Sequence, residues 1–421
     1  MSRNSALLER ARRVIPGGVN SPVRAFAAVE GDPPFIVSGE GPRLTDAEGR
    51  TYLDLCGSWG PLILGHRHPV IEAAVIGAVQ AGTTFGAPTE AEIAFAEDIV
   101  AAVPSIEQVR VVSSGTEATM HALRLARGAT GRDAILKLDG CYHGAHDTVL
   151  VAAGSGVATF ARPGSPGTIA PATLTAPFND LDAVAGHLAD DAVAAVILEP
   201  VAGNMGCIPP APGYLQGLRD LCDAHGTLLI FDEVMTGFRL ARGGAQERFG
   251  VIPDLTCLGK VVGGGMPLAA FGGRTALMQH LSPVGAVYQA GTLSGNPVAV
   301  AAGRAALAIL AEPGTYDRLE AIGDGIDAAI RPHVIRHGLS MSRVGTMFTI
   351  FFRAEAPVRF DQVGECDLGW FGRFHRACLD RGIYLPCSQY EAAFLNLALT
   401  PDDVAAIGAA IGDALDATAS V

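Results

Sequence analysis

Residues 227–233 have the sequence Thr227-Leu-Leu-Ile-Phe-Asp-Glu233, a short apolar run that ends in two carboxylates. Similar runs alternate with Ala- and Leu-rich helical stretches and occupy residues 109–112, 134–138, 192–198 and 255–258. Strands that alternate with helices indicate an α/β fold with a mostly parallel sheet, whose strands are apolar throughout because both faces are buried. Asp232 is then expected near the carboxyl edge of the sheet, where open α/β sheets bind ligands.

The composition argues against several classes of protein. The 421 residues carry a net charge of −13 without a run of basic residues, so we expect no nucleic-acid partner. No apolar stretch reaches the roughly 18 residues of a membrane helix, and the polar N-terminus lacks the apolar core of a secretory signal, so we expect no membrane partner. None of the eight cysteines has CxxC or metal-ligand spacing, which predicts free thiols, no metal site and a cytoplasmic location.

The chain has only two lysines, and their contexts differ. Lys260 lies in Leu258-Gly-Lys-Val-Val-Gly-Gly-Gly265, directly after an apolar run and among glycines that let the backbone approach a ligand. Partial desolvation at a strand end lowers the pKa of such an amine and makes it a usable nucleophile. Lys260 could also be a surface residue, whereas a nucleotide-binding loop is disfavoured because GxxxxGK[ST] and GxGxxG spacings are absent. Lys137, inside Ile135-Leu-Lys-Leu-Asp139, is interpreted as a strand residue whose amine reaches solvent.

Two further turns follow apolar runs. Val111-Val-Ser-Ser-Gly-Thr-Glu-Ala118 places hydroxyls and free N–H groups at a helix start, which is typical of an anion site and equally of an ordinary N-cap. Gly140-Cys-Tyr-His-Gly144 places Tyr142 where it could stack on a flat ring or simply fill the core.

Asp232 could pair with a protonated ring nitrogen or cap the following turn. Because all of these residues end apolar runs, the combination predicts a pyridoxal-phosphate (PLP) enzyme that holds its cofactor on Lys260.

The remaining regions are less regular. Residues 1–50 contain several turn pairs and are interpreted as irregular, while residues 145–171 form a Gly-, Pro- and Ser-rich segment typical of a functional lid. We assign residues 1–60 and 306–421 to a smaller α+β domain and residues 61–305 to the large, cofactor-binding domain.

These motifs together resemble the class III aminotransferases, which are PLP-dependent transferases of fold type I. The resemblance covers nearly the whole chain, and its marks are Gly17-Gly-Val-Asn-Ser-Pro-Val-Arg-Ala-Phe26, Gly57-Ser-Trp-Gly-Pro61, Phe85-Gly-Ala-Pro-Thr89, Glu199-Pro-Val-Ala-Gly-Asn204, Phe231-Asp-Glu-Val-Met-Thr-Gly-Phe-Arg239 and Tyr288-Gln-Ala-Gly-Thr-Leu-Ser-Gly-Asn-Pro297. The segments at residues 20–24 and 290–297 are more specific than the motifs that the whole family shares, and they resemble its glutamate-1-semialdehyde aminomutase branch. Three places depart from that branch's usual pattern, namely Ala145-His146, Ala152 and Leu399, and none is a cofactor residue.

The resemblance implies a role for each matching residue. Lys260 would bind the cofactor and shuttle protons, and Asp232 would keep the pyridine nitrogen protonated. Further cofactor contacts would come from Ser114, Gly115, Thr116, Tyr142 and Asn204, and from Gly291 and Thr292 of the partner subunit in a homodimer. The substrate pocket would be lined by Ser21, Arg24, Trp59, Ser155 and Glu391, with the Arg24 fork suited to the substrate carboxylate.

The aminomutase branch implies an internal amino-group exchange that converts glutamate-1-semialdehyde to 5-aminolevulinate in porphyrin (tetrapyrrole) biosynthesis. The cofactor would alternate between its pyridoxal and pyridoxamine 5'-phosphate forms, and the upstream glutamyl-tRNA reductase would be a candidate partner. A class III transaminase of ω- or β-amino acids would share every cofactor residue but would need a second keto acid. A catalytically silent scaffold is disfavoured because Lys260, Asp232 and the phosphate residues are all retained.

Overall fold

The computed structural model describes residues 2–29, 31–154 and 172–419. The strands in this part of the chain are β1 (Ile36–Glu40), β2 (Arg43–Asp46), β3 (Thr51–Asp54), β4 (Gln108–Val112), β5 (Ala134–Leu138), β6 (Thr173–Ala176), β7 (Val193–Leu198), β8 (Leu228–Glu233), β9 (Leu255–Leu258), β10 (Ala269–Gly273), β11 (Ser340–Val344), β12 (Met347–Phe351), β13 (Ile383–Tyr384) and β14 (Ala393–Phe394). The α-helices in the same residues are α1 (Arg3–Arg12), α2 (Pro69–Ala81), α3 (Glu90–Ala102), α4 (Gly115–Thr130), α5 (Leu181–Leu188), α6 (Tyr214–His225), α7 (Gly244–Phe249), α8 (Thr275–Met278), α9 (Pro297–Leu310), α10 (Thr315–Arg336), α11 (Phe360–Val363), α12 (Leu368–Asp380) and α13 (Pro401–Thr418). No single helix among these described residues is long and apolar enough to cross a membrane, although α9 and α10, bent by 80°, reach that length and composition as a pair.

The central sheet has seven strands in the order β4-β10-β9-β8-β7-β5-β6. The strands from β9 to β6 are parallel, and β10 runs antiparallel to both of its neighbours. Every residue of β7 is buried, as expected for a strand inside a parallel sheet. Asp232 of β8 lies opposite Cys257 of β9, so Asp232 and the nearby Lys260 reach the same edge of the sheet. The predicted α/β class with a mostly parallel sheet is confirmed.

Two smaller sheets join distant parts of the chain. In the first, β13 from the C-terminal region pairs in parallel with β3, next to β2 and β1, and in the second the order is β11-β12-β14. The interpretation of residues 1–50 as irregular is wrong, because they contain α1, β1 and β2. The Ser2 side chain caps α1, while β1 is short and mostly exposed, so no apolar run marks it in the sequence. The assigned domain boundaries stay a prediction.

Lys137 in β5 is fully buried, which corrects the interpretation that its amine reaches solvent. Its Nζ donates hydrogen bonds to the carbonyl oxygens of Val151 at 2.7 Å and Ala152 at 3.2 Å. These carbonyls satisfy donors of the ammonium group, which explains how the sheet interior accommodates a cation. Desolvation by burial lowers the pKa of this amine from its usual 10.5 to about 8.

The lowered pKa of Lys137 predicts a pH dependence of stability. Below about pH 8 the amine is protonated in both the folded and the unfolded chain. Between about pH 8 and 10.5 the unfolded chain keeps the proton that the folded chain loses, so the free energy of unfolding rises with pH, by up to roughly 3 kcal/mol. The free energy of unfolding of the wild type minus that of Lys137→Met should therefore increase with pH in this window, as measured by denaturant unfolding curves. A constant difference between the two proteins would contradict the prediction.

Candidate active site

A cavity of about 220 Å³ lies where strands of the central sheet reach their carboxyl ends. Its lining residues are Gly115, Thr116, Tyr142, His143, Gly144, Glu199, Asn204, Asp232, Val234, Met235 and Lys260. The structure therefore brings together six predicted cofactor residues, namely Gly115, Thr116, Tyr142, Asn204, Asp232 and Lys260. Ser114 directly precedes them in the chain as the N-cap of α4.

Lys260 follows β9 and begins a short 3-10 turn, with a left-handed φ of 48° that is uncommon outside glycine. Its side chain contacts Gly60, where an added Cβ would lie 3.0 Å from Lys260 Cδ. Desolvation by burial lowers the pKa of the amine, and the carboxylates of Glu199 and Asp232 oppose this shift. The larger neutral fraction of the amine favours nucleophilic attack and proton transfer.

Asp232 ends β8 and borders the cavity with a carboxylate that has two partners. Oδ2 lies 2.7 Å from Nδ1 of His143, and Oδ1 accepts a hydrogen bond from the backbone N–H of Val234 at 3.0 Å. His143 is 1% exposed, and its Nε2 has no hydrogen-bond partner among the described residues. Sequence reasoning missed His143, although the residue directly follows the stacking candidate Tyr142. The pair fixes the carboxylate at the cavity wall.

Glu199 is a second buried carboxylate to which sequence reasoning gave no role. Its Oε1 accepts a hydrogen bond from Tyr142 N at 2.9 Å, and its Oε2 accepts from Gly203 N at 2.9 Å and Asn204 Nδ2 at 3.0 Å. Desolvation by burial raises the pKa of this carboxyl group. Glu199 therefore positions two predicted cofactor residues at once. The available signal was its place directly after an apolar run, the pattern that singled out Asp232.

The amino end of α4 supplies an anion site at the same cavity. The Ser114 side chain accepts a hydrogen bond from Glu117 N at 3.2 Å and caps the helix. Gly115 packs against Val234, since an added Cβ would lie 3.0 Å from that side chain. Thr116 Oγ1 accepts a hydrogen bond from Ala145 N at 3.3 Å. The first-turn N–H groups and the helix dipole favour a bound anion such as a phosphate here.

Arg24 and Trp59, two predicted substrate residues, line a neighbouring cavity of about 480 Å³. Trp59 is followed in the chain by Gly60, the residue that contacts Lys260. The neighbouring cavity and the Lys260 cavity are thus joined by one short turn of the chain.

The other predicted substrate residues are not among the described residues that line the Lys260 cavity. Glu391 is 8% exposed and lines a separate small cavity with Thr349 and Ser388. Its charge opposes the lowering of the Lys260 pKa by burial. Ser21 precedes the 3-10 turn that carries Arg24. Ser155 and the rest of the predicted lid from residue 155 to residue 171 lie outside the described residues.

Gly291 and Thr292 line a separate cavity of about 440 Å³ together with residues 84–89. Both residues are exposed. Within one chain the structure does not bring them to the Lys260 cavity, and their expected contribution to a partner subunit stays a prediction.

The sequence model of the aminotransferase class-III family matches residues 26–407. The chain belongs to the class III aminotransferases. The structure is similar to that of an ω-transaminase from Sphaerobacter thermophilus, with 35% identity, a TM-score of 0.92 and coverage of 100% of this chain and 98% of the other. A β-phenylalanine aminotransferase from Variovorax paradoxus has 33% identity, a TM-score of 0.89 and coverage of 98% and 94%. A glutamate-1-semialdehyde aminomutase from Pseudomonas aeruginosa PAO1 has 28% identity, a TM-score of 0.87 and coverage of 98% and 94%.

Membership of this family confirms the predicted fold type I and the predicted cofactor, PLP. The cavity of this class III aminotransferase contains the groups that PLP requires. These are the partly desolvated amine of Lys260, the buried carboxylate of Asp232 and the amino end of α4. The residues present therefore fit the cofactor.

Proposed function

We propose that this class III aminotransferase is a glutamate-1-semialdehyde aminomutase, which exchanges the amino and oxo groups of one substrate to give 5-aminolevulinate for tetrapyrrole synthesis. The observation that carries the proposal is the charge arrangement around Lys260. Among the described residues that line the Lys260 cavity and the Arg24 cavity, Arg24 is the one arginine. A transaminase that uses a dicarboxylic keto acid needs a second cation for the second carboxylate, whereas glutamate-1-semialdehyde has a single carboxylate.

The charge of Glu391 supports a substrate of the same kind. Glu391 is buried and its negative charge favours the protonated form of Lys260, so it would also repel a second substrate carboxylate and attract a substrate ammonium group. An amino aldehyde with one carboxylate presents its charges in this order, with the carboxylate at Arg24 and the nitrogen-bearing end at Lys260 and Glu391.

The side chains around the cavity divide the work of the proposed reaction. PLP supplies, when bound, an electron sink for the electrons left behind as a proton leaves a carbon next to nitrogen. The Lys260 amine removes that proton from one carbon and returns a proton to another. Asp232, held by His143, would present its carboxylate to a protonated ring nitrogen. Tyr142 would stack on the ring, and Arg24 would bind the substrate carboxylate through its guanidinium fork.

The experiment that tests the proposal uses the purified holoenzyme and glutamate-1-semialdehyde alone. We expect 5-aminolevulinate to accumulate over many turnovers without any added amino donor or keto acid. The proposal fails if product forms only when a separate keto acid is supplied.

Arg24→Lys is expected to raise the KM for glutamate-1-semialdehyde about tenfold or more, with a smaller change in kcat. Lysine keeps the charge but loses the two parallel donors that bind a carboxylate. Steady-state kinetics measures both constants, and Arg13→Lys, at an exposed position of the same N-terminal region, is the matched control. A fall in kcat at unchanged KM would show that Arg24 does not bind the substrate carboxylate.

A class III transaminase of ω- or β-amino acids is the second candidate function. The observation in its favour is the identity to the ω-transaminase, 35%, and to the β-phenylalanine aminotransferase, 33%, against 28% to the aminomutase. The discriminating assay combines β-phenylalanine or an ω-amino acid with pyruvate or 2-oxoglutarate. Rapid turnover of such a pair, together with no reaction of glutamate-1-semialdehyde alone, would favour the transaminase.

We also propose that the active unit is a homodimer. Helix α2 has no buried residue although it is strongly apolar, and its Val70, Ile76 and Val79 are about half exposed, as are Phe85 and Leu293 near the Gly291–Thr292 cavity. An apolar surface of this kind is typical of a protein interface, and a second copy would also bring Thr292 to a cofactor site. Light scattering should give twice the mass of one chain; a fully active monomer would contradict the proposal.

The cytoplasmic location and the reductase contact stay predictions.

A further inference from the structure

The turn from Gly57 to Gly60 has an unusual backbone. The φ angles of its four residues are 53°, 55°, 67° and 118°, all in the left-handed region. Ser58 and Trp59 disfavour this conformation, so other contacts must hold the turn. Trp59 lines the Arg24 cavity, and Gly60 contacts the Lys260 side chain. The conformation of the turn therefore sets the place of Trp59 relative to the amine.

Buried charged side chains hold the turn at both ends. At its start, Asp54 Oδ1 accepts hydrogen bonds from the N–H groups of Cys56 and Gly57, both at 2.9 Å. At its end, the Arg239 guanidinium donates a hydrogen bond to the carbonyl oxygen of Gly60. The turn is thus fixed by one carboxylate and one guanidinium.

The environment of Arg239 is unusual for a cation. The residue is 2% exposed, and it also donates to Thr346 Oγ1 at 3.0 Å and to Leu395 O at 3.3 Å. Its guanidinium lies 4.9 Å from the ring centre of Phe394, and it forms no ion pair among the described residues. Burial lowers the pKa of Arg239 to about 9. An apolar residue would serve packing alone at least as well, so the position of this cation indicates a further role.

We propose that Arg239 is a positioning residue for Lys260, because by holding the Gly60 carbonyl it fixes the turn that places both the reactive amine and Trp59. The inference rests on Lys260 being the reactive amine, as proposed above, but not on which amino compound the enzyme processes. Loss of the guanidinium then loosens the turn and displaces Lys260 and Trp59, although neither residue is itself changed.

The test uses Trp59 as a reporter of the turn. The chain has two tryptophans, so the Trp370→Phe holoenzyme leaves Trp59 as the only one. In this background we expect Arg239→Met to raise acrylamide quenching of Trp59 about twofold and to lower kcat about 10- to 100-fold, as expected for a displaced catalytic group. Arg239→Lys, which keeps the charge but not the fork, should give intermediate values. Asp54→Ala removes the oxygen that accepts from Cys56 N and Gly57 N at the other end of the turn, and it should raise the quenching as well.

Lys137→Met is the matched control, because Lys137 is the other buried lysine or arginine among the described residues and it lies away from the turn. Lys137→Met should not alter the quenching of Trp59. Its stability in neutral solution should be lower than that of the parent protein or the same. Unchanged quenching in Arg239→Met, or a kcat that falls only with the folded fraction, would overturn the inference. If Arg239→Met does not fold, Arg239→Lys and Asp54→Ala decide by the same two measurements. Failure of the Lys260 assignment shows separately, as activity that survives Lys260→Ala.

Discussion

Lys260→Ala is expected to lower kcat at least about a thousandfold, because the variant lacks the proposed covalent attachment point and the group proposed to move the proton. The amino end of α4 and the carboxylate of Asp232 remain, so the variant should still bind the cofactor without a covalent bond. The measurement is product formation in single-turnover and steady-state assays, together with the visible absorbance of the bound cofactor.

Lys260→Arg is the matched control for charge and length. Its guanidinium stays protonated and cannot act as a nucleophile, so it should be as inactive as the alanine variant. Substantial activity in either variant would show that another amine performs the chemistry.

Asp232→Asn is expected to lower kcat by about a hundredfold or more with little change in thermal stability. The amide keeps the size of the side chain but cannot stabilise a protonated ring nitrogen, so the cofactor becomes a poorer electron sink. The 2.7 Å contact between residue 232 and His143 Nδ1 also changes, because a neutral amide replaces the charged carboxylate. Steady-state kinetics and the absorbance of the bound cofactor measure the effect.

The neighbouring Glu233 provides the control for Asp232. Its carboxylate is buried away from the cavity and accepts hydrogen bonds from Thr236 Oγ1, from Ala245 N and from Gln246. Glu233→Gln should therefore lower the melting temperature while the folded enzyme keeps its kcat. If Glu233→Gln removed activity and Asp232→Asn did not, the assignment of the two carboxylates would be reversed.

Five of the seven strands in the central sheet, namely β4, β5, β7, β8 and β9, could be predicted because each contains a short apolar run, whereas β6 and β10 were not predicted. Residues 192–198 were expected to form a strand, and β7 spans Val193–Leu198 with every side chain buried. The short strands β1 and β2 could not be predicted in this way, because they are partly exposed and lack a continuous apolar run. Lys137 was misinterpreted for a related reason, since the carbonyls that accept its hydrogen bonds come from residues 151–152 and become visible only in the folded chain.

The candidate site could be predicted in part. Asp232 and Lys260 stand out because each follows an apolar run, and the structure brings both to one cavity. His143 and Arg239 could not be assigned roles from sequence, because those roles depend on contacts with Asp232 and Gly60 that are distant along the chain. Glu199 had the same sequence signal as Asp232, but its role as an acceptor for Tyr142 and Asn204 required the folded geometry.

The most direct test of the central claim is to identify the residue that carries the cofactor. The holoenzyme is reduced with borohydride, which converts the bond between cofactor and lysine to a stable amine, and is then digested with trypsin for peptide mass analysis. Because a modified lysine resists trypsin, the labelled peptide should run from Phe249 to Arg274 and include uncleaved Lys260. A label on Lys137, or none on either lysine, would contradict the assignment of Lys260 as the cofactor-binding residue.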